Sequence, residues 1–225
     1  MVDQHKYLSN GDYEKFLRNI PEAYLELFHK EEVFFRDNVR RGAHVLDLGC
    51  GEARTTIPLA VHVGPEGKVI GIDNNERMCR LAKKKTEVLK NVEIYKLDVR
   101  NVYDLPRYEK FNNILFPFDL LGLIPPEEQV DVLTRVKGLL ELYGHGNILG
   151  TVFSENAAPY QMITYQSIWP QGGIRSDKDF VYVDSINYKA ERFSKDKLKR
   201  ILKKADLKVE IRNLTKMAYS FSARR

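Results

Sequence analysis

The stretch VLDLGCGEAR, residues 45–54, constrains this chain more than any other. An apolar run carries Asp47 near its end, passes through Gly49 and Gly51, and gives way to a helical pattern. Glycine lets the backbone adopt conformations closed to other residues, and lets a ligand approach with no side chain between. The helix beyond offers unpaired N–H groups at its start. A strand, a turn without Cβ atoms and a helix make one unit of an open α/β sheet. Such sheets bind ligands beyond the carboxyl ends of their strands, where strand order reverses. Gly49, Cys50 and Gly51 are therefore expected at the mouth of a crevice.

The pattern repeats downstream. AHVLDL (43–48), KVIGID (68–73), VEIYKLD (92–98), FNNILFPF (111–118) and NILGTVF (147–153) read as strands. Helical stretches lie between them: RTTIPLAVHV (54–63), the segment bearing Met78, Leu81, Ala82 and Leu89, and a segment after Pro125-Pro126 with Val130, Leu133, Val136 and Leu140 on one face. Alternating strands and helices predict a doubly wound, mostly parallel sheet, because parallel neighbours need a covering crossover. Residues 154–193 break the rhythm and predict an insertion of a short helix and a hairpin. SKDKLKRILKKA (194–205) reads as a helix capped by Ser194, with Leu198, Ile201, Leu202 and Ala205 inward. LKVEIRNL and MAYSFSARR close the chain as an antiparallel pair. Residues 1–40 are read as a helical N-terminal cap, and residues 41–225 as the α/β domain with the 154–193 insertion capping a substrate pocket.

Composition narrows the class. With 225 residues, 43% of them hydrophobic, the chain supports a folded core. No apolar stretch reaches the roughly 18 residues of a membrane helix, and MVDQHKYLSNGDYEKF lacks an apolar signal core, so a cytoplasmic protein without a membrane partner is expected. Cys50 and Cys79 have no metal-ligand spacing and are expected as reduced thiols; the five histidines are scattered, so no metal site is expected.

Three acids share one edge. Asp47 belongs to the first strand and can order the glycine turn or a ligand ammonium. Asp73 ends the second and can accept two hydrogen bonds from ribose hydroxyls. Asp98 ends the third and can accept from an exocyclic amino group. With Asp47-Leu48-Gly49-Cys50-Gly51-Glu52-Ala53, the chain resembles the class I S-adenosylmethionine-dependent methyltransferases over residues 40–153. That resemblance implies a seven-stranded Rossmann-like sheet with a C-terminal antiparallel hairpin, and S-adenosylmethionine as cofactor. It implies that Gly49, Cys50 and Gly51 line the donor's methionine portion, that Asp73 and Asn74 meet the ribose and adenine face, that Asp98 and the Val99 backbone read adenine, and that the donor's amino group meets backbone near Phe116. Tyr13, in the N-terminal cap, is placed against the cofactor. Ala53 stands where the family has its third glycine, and alanine disfavours positive φ. The nicotinamide fingerprint Gly-x-Gly-x-x-Gly is broken, because Arg54 takes its last glycine position.

PFDLLGLIP (117–125) follows the fourth strand and should border the transferred methyl. Asp119 is the candidate for holding or deprotonating the acceptor, and Phe118, Tyr160 and Tyr165 for the pocket wall. A small-molecule acceptor suits the aromatic cap and insertion. RNA or protein is the alternative: residues 189–204 carry eight Lys/Arg against two acids, with Lys83, Lys84, Lys85 and Lys90 forming a second basic cluster in a chain of net charge +5. A non-catalytic module that binds the donor is the third reading.

Overall fold

Why the chain folds as it does begins with five parallel strands, four of them largely buried. The computed structural model describes residues 21–106, 110–141 and 146–225. Helix α1 (Glu22–Asn38) leads into β1 (His44–Leu48), α2 (Thr56–Val63), β2 (Lys68–Asp73), α3 (Glu76–Thr86) and β3 (Val92–Lys96). Then come β4 (Asn113–Phe116), the short α4 (Leu120–Leu123), α5 (Gln129–Gly138) and β5 (Asn147–Phe153). The insertion supplies α6 (Ala158–Ile168), β6 (Ile174–Ser176), β7 (Phe180–Val183) and β8 (Tyr188–Glu191), and the chain closes with α7 (Lys195–Lys204), β9 (Lys208–Asn213) and β10 (Ala218–Arg224).

The main sheet has seven strands in the order β3-β2-β1-β4-β5-β10-β9. The chain runs outward from β1 to β3, then returns to place β4 on the other side of β1. Strand order thus reverses between β1 and β4, which pair in parallel with Asp47 opposite Leu115. β10 is antiparallel to both β5 and β9. Strands β4 and β5 are buried at every residue, as parallel strands covered on both faces should be.

Capping follows the sequence. Asn75 begins α3 by accepting from the N–H groups of Arg77 and Met78, and Ser194 begins α7 by accepting from Lys197 N–H. Leu198, Leu202 and Ala205 face the core, whereas Lys199, Arg200, Lys203 and Lys204 stay at the surface. Two expectations needed enlarging. The hairpin of the insertion is a three-stranded antiparallel sheet, because Ile174–Ser176 pairs with β7. The helix after the two prolines starts at Gln129, a turn later than Pro125-Pro126.

Gly71, in the middle of β2, has a packing duty. A Cβ there would stand 2.8 Å from Ile94 Cδ1 and 2.9 Å from Cys50 Sγ. The missing side chain makes room for Cys50 behind the glycine turn. Gly71→Ala should therefore cost about 1–3 kcal/mol by overpacking, read as a lower midpoint in a urea titration; an unchanged midpoint would show that Cys50 moves aside freely.

Candidate active site

The turn between β1 and α2 is built from three consecutive alternate residues in left-handed backbone: Gly49 at φ 64°, Gly51 at 54° and Ala53 at 71°. Ala53 keeps the geometry for which a third glycine is expected, at a cost of roughly 1–2 kcal/mol for an L residue. Its methyl is fully buried with Cys50, Cys79, Ala82 and Ile94, which offsets part of that cost. No atom lies within 4 Å of where a Cβ on Gly51 would stand, so the turn presents bare backbone there.

Asp47 is fully buried, and its Oδ2 accepts from the hydroxyls of Thr55 and Thr56, each at 2.6 Å. It thereby ties the end of β1 to the start of α2. Its Oδ1 has no hydrogen-bond partner. Burial raises the Asp47 pKa to about 6, against the two hydroxyls and the charge of Arg54, which lower it.

Asp73 sits over the turn. Its Oδ2 accepts from Gly51 N–H at 3.0 Å and its Oδ1 from Asn75 N–H at 2.8 Å. Asp98 is turned onto Arg100: Oδ1 accepts from Arg100 N–H and Nε, both at 2.9 Å, and Oδ2 from a terminal guanidinium nitrogen at 2.7 Å. Burial pushes its carboxyl up, but these bonds, the Arg100 charge and a bond from Asn74 outweigh it and hold the pKa below the usual range. The exposed Asn74 is therefore beside Asp98, and Val99 opens the 3₁₀ segment that Asp98 caps.

Other expected residues fall out differently. Cys50 contributes backbone only; its N–H donates to Ile72 O at 2.9 Å and its thiol is buried against Gly71. The Cys50 side chain thus lines the core and not the crevice, because Gly71 leaves the space that receives it. Phe116 is wholly buried in β4, so only its backbone can meet a ligand. Tyr165 is packed inside the insertion against Val181, Val183 and Ala190, with its hydroxyl 3.1 Å from that of Tyr188, and so is no exposed pocket wall. Tyr160 is half-buried at the edge of an aromatic cluster. Tyr13 lies outside the described residues. Lys197, in the basic stretch 189–204, is paired with Glu191 at 2.6 Å and Asp179 at 3.5 Å.

Phe118 and Asp119 follow β4 with φ of 41° and 62°. Two consecutive non-glycine residues in that region are strained. Phe118 packs edge-on against Tyr24, Phe28 and Phe153, with ring centroids 6.1, 4.8 and 5.8 Å away. Asp119 is 4% exposed; its Oδ1 accepts from Phe153 N–H at 3.0 Å. Burial raises its pKa well above the ordinary carboxyl value, against the Phe153 N–H, and the charge of Glu191 raises it further. A carboxyl so placed holds its proton more tightly than a free one.

Sequence reasoning missed Glu31. This α1 residue is fully buried and accepts from Phe118 N–H at 2.7 Å, from the Thr151 hydroxyl, and from the Arg54 guanidinium at 2.5 Å. Arg54 in turn stacks on Phe28, 4.2 Å from the ring centroid. The signal available was Leu27, Glu31 and Phe35 on one helical face, an acid amid apolar neighbours. A cavity of about 260 Å³ between α1 and α2 is walled by Phe28, Phe35, Arg54, Thr55 and Leu59. A groove of about 930 Å³ crosses the carboxyl edge beyond β5, β10 and β9, lined by Glu155, Tyr160, Lys195, Asn213 and Tyr219. Among the described residues no cluster of His, Cys, Asp or Glu is arranged to hold a metal, and no helix is long and apolar enough to cross a membrane.

A glycine turn at a switch point, with acids from adjacent strands around it and an antiparallel β10 inserted beside β5, defines a class I methyltransferase fold. Residues 45–144 match the family model described as a methyltransferase domain. Demethylmenaquinone methyltransferase of Staphylococcus carnosus is 35% identical over 104 residues, 45% of this chain and 42% of that protein. The same-named protein of Staphylococcus aureus is 27% identical over 178 residues, 69% and 73% of the two chains. The matches to the first three such relatives span between 40% and 52% of those proteins. A solved S-adenosylmethionine-dependent methyltransferase of Aquifex aeolicus superposes with a TM-score of 0.64 over 93% of this chain and 96% of that one, at 22% identity. The fold as a whole is that of solved S-adenosylmethionine-dependent methyltransferases, and the match to the methyltransferase-domain model lies in residues 45–144.

Two expectations follow from the buried acids. Glu31→Ala should cost roughly 2–4 kcal/mol, since it strands the Phe118 N–H and uncouples Arg54; chemical denaturation giving less than half that would remove Glu31 as the organiser. For Asp47, a folded pKa of about 6 against an unfolded value of 3.8 means that the folded chain holds the proton more tightly. Its contribution to stability is present below pH 4 and is lost as pH rises through 6, a change of about 3 kcal/mol. The stability difference between Asp47→Asn and the parent, measured in urea from pH 4 to pH 7, should move in favour of the variant as pH rises. A flat difference would mean that Asp47 titrates normally.

Proposed function

We propose that the chain is a methyltransferase that uses S-adenosylmethionine and acts on a small-molecule acceptor. One observation carries this reading: Asp73 is clamped to Gly51 N–H across a turn with open space beside it, at the reversal of strand order. The residues fit the donor. Gly49 and Gly51 offer backbone to its methionine portion. Asp47 keeps an orphaned acceptor oxygen behind the turn, suited to an ammonium or an ordered water. Asp73 suits two ribose hydroxyls, and Asp98 with the Val99 backbone suits adenine once Arg100 shares its carboxylate.

The donor supplies an electrophilic methyl group on a sulfonium. The chain's own task is orientation and exclusion of water, which can supply many kcal/mol of a displacement barrier. Phe118, held among Tyr24, Phe28 and Phe153, forms an apolar wall beside the end of β4. Asp119, whose buried carboxyl holds its proton more tightly than a free one, is placed to hold an acceptor atom. The insertion closes the edge beyond it. Relatives named for a menaquinone precursor support a small organic acceptor.

The test is calorimetric titration of the chain with S-adenosylmethionine, S-adenosylhomocysteine and NAD. Binding of the first two and silence with the third is expected. Asp73→Asn should weaken S-adenosylhomocysteine by roughly ten- to a hundredfold, the worth of one or two charge-assisted hydrogen bonds. Equal affinity in the variant would remove Asp73 from the ribose, and preference for NAD would overturn the whole reading.

A further inference from the structure

Asp98 stands where a nucleobase would be read, but its carboxylate is already engaged. Leu97 N–H donates to Asp73 O at 2.9 Å, which sets Asp98 at the sheet edge beside Asp73 and the glycine turn. A carboxylate has about four acceptor positions. Arg100 fills three of them: its backbone N–H and Nε meet Oδ1, both at 2.9 Å, and a terminal nitrogen meets Oδ2 at 2.7 Å. The Asn74 side chain donates to the same carboxylate. An exocyclic amino group arriving at Asp98 therefore has to displace a donor.

The guanidinium has a second carboxylate within reach. Its other terminal nitrogen lies 3.5 Å from Glu128 Oε2, just before α5. The Arg100 backbone is held, because its carbonyl accepts from the Arg135 guanidinium of α5 at 3.1 Å. Movement is thus confined to the side chain. The Arg100 and Glu128 side chains are 42% and 40% exposed, so the guanidinium turns through solvent and not through packed core. Ion pairs this exposed are weak, and exchange of one carboxylate for the other is cheap. Only the bond to Asp98 Oδ2 has to break.

We propose that Arg100 sets the base selectivity of the donor site: it competes with the nucleobase amino group for Asp98 Oδ2, and shifts onto Glu128 when that group binds. Arg100 is then a specificity-determining residue and Glu128 its counter-anchor. With Arg100 in place the edge also offers N–H groups to a base that bears a carbonyl where adenine bears its amino group. The chain as it stands therefore separates the two bases less sharply than a free Asp98 would. This inference rests on the methyltransferase reading and on Asp98 as the base reader within it.

The probes are S-adenosylhomocysteine and S-inosylhomocysteine, whose base carries that carbonyl, titrated calorimetrically into the full chain at pH 8 to keep Asp98 ionised. Arg100→Met keeps a long stem and the backbone contact to Arg135. It should bind S-adenosylhomocysteine about three- to tenfold tighter, the worth of one hydrogen bond that no longer has to break, and the inosyl compound no tighter. Glu128→Gln should weaken S-adenosylhomocysteine about threefold in the parent chain and change nothing in the Arg100→Met background, where no guanidinium needs receiving. A purely structural Arg100 would move both affinities together and leave the Glu128 effect additive. The proposal is overturned if Arg100→Met binds S-adenosylhomocysteine no tighter, if both compounds gain equally, or if the Glu128 effect persists in the Arg100→Met background. Should Arg100→Met not fold, Glu128→Gln alone decides, and an unchanged S-adenosylhomocysteine affinity overturns the proposal. Failure of S-adenosylhomocysteine to bind the parent chain would instead overturn the donor reading beneath it.

Discussion

A single buried carboxylate, that of Glu31, holds the working edge of this protein in register. It reaches from α1 to the loop after β4, to Thr151 in β5 and to Arg54 at the far side of the glycine turn. It joins Arg54 to a loop and a strand that already bond to each other through Phe118, Asp119 and Thr151. A carboxylate out of water is unfavourable unless its lone pairs are filled. Here the filling donors are the ones that the site needs to fix: the N–H of a strained Phe118 and the guanidinium that follows the turn. The cost of burying the charge and the cost of ordering the loops are met by the same bonds.

That coupling explains how strain persists on both sides of the site. Ala53 on one side, and Phe118 with Asp119 on the other, adopt backbone that L residues avoid. Each would relax in an isolated peptide. Ala53 is held because its methyl fills the space among Cys79, Ala82 and Ile94. Phe118 and Asp119 are held because both of their N–H groups bond to Thr151, one to its hydroxyl at 3.0 Å and one to its carbonyl at 3.1 Å. β5 therefore serves as the ruler against which the end of β4 is set, and α1 locks the setting through Glu31.

How much of this was legible in the sequence depends on the range of the interaction. The glycine turn, the strands and helices, the Ser194 cap and the placement of Asp73 follow from local rules of period and turn chemistry, and the fold agrees with them. Cys50 misled because its neighbours in sequence are glycines of the turn, whereas its side chain answers to Gly71, which only β-pairing brings alongside. Tyr165 misled because a tyrosine in an insertion reads as a wall until the third strand of that insertion is known to cover it. Glu31 and Arg192 were beyond reach: their partners lie 87 residues away at Phe118 and 31 away at Gln161, and no local pattern distinguishes a buried charge from a solvated one. Arg100, two residues from Asp98, was readable in principle, since a guanidinium that close to a capping carboxylate has few other anions to choose.

The acids at the carboxyl edge do opposite electrostatic work with one residue type. Arg100 holds the Asp98 carboxyl below its usual pKa despite burial, whereas burial and the charge of Glu191 push that of Asp119 well above it, against Phe153 N–H and Arg192. An ionised carboxylate attracts hydroxyl and amino donors, which suits the nucleoside end of a bound molecule. A protonated one offers a proton to an electron-rich atom, which suits the other end. The raised pKa of Asp119 disfavours a second negative charge beside Glu191, at the seam between the insertion and the sheet.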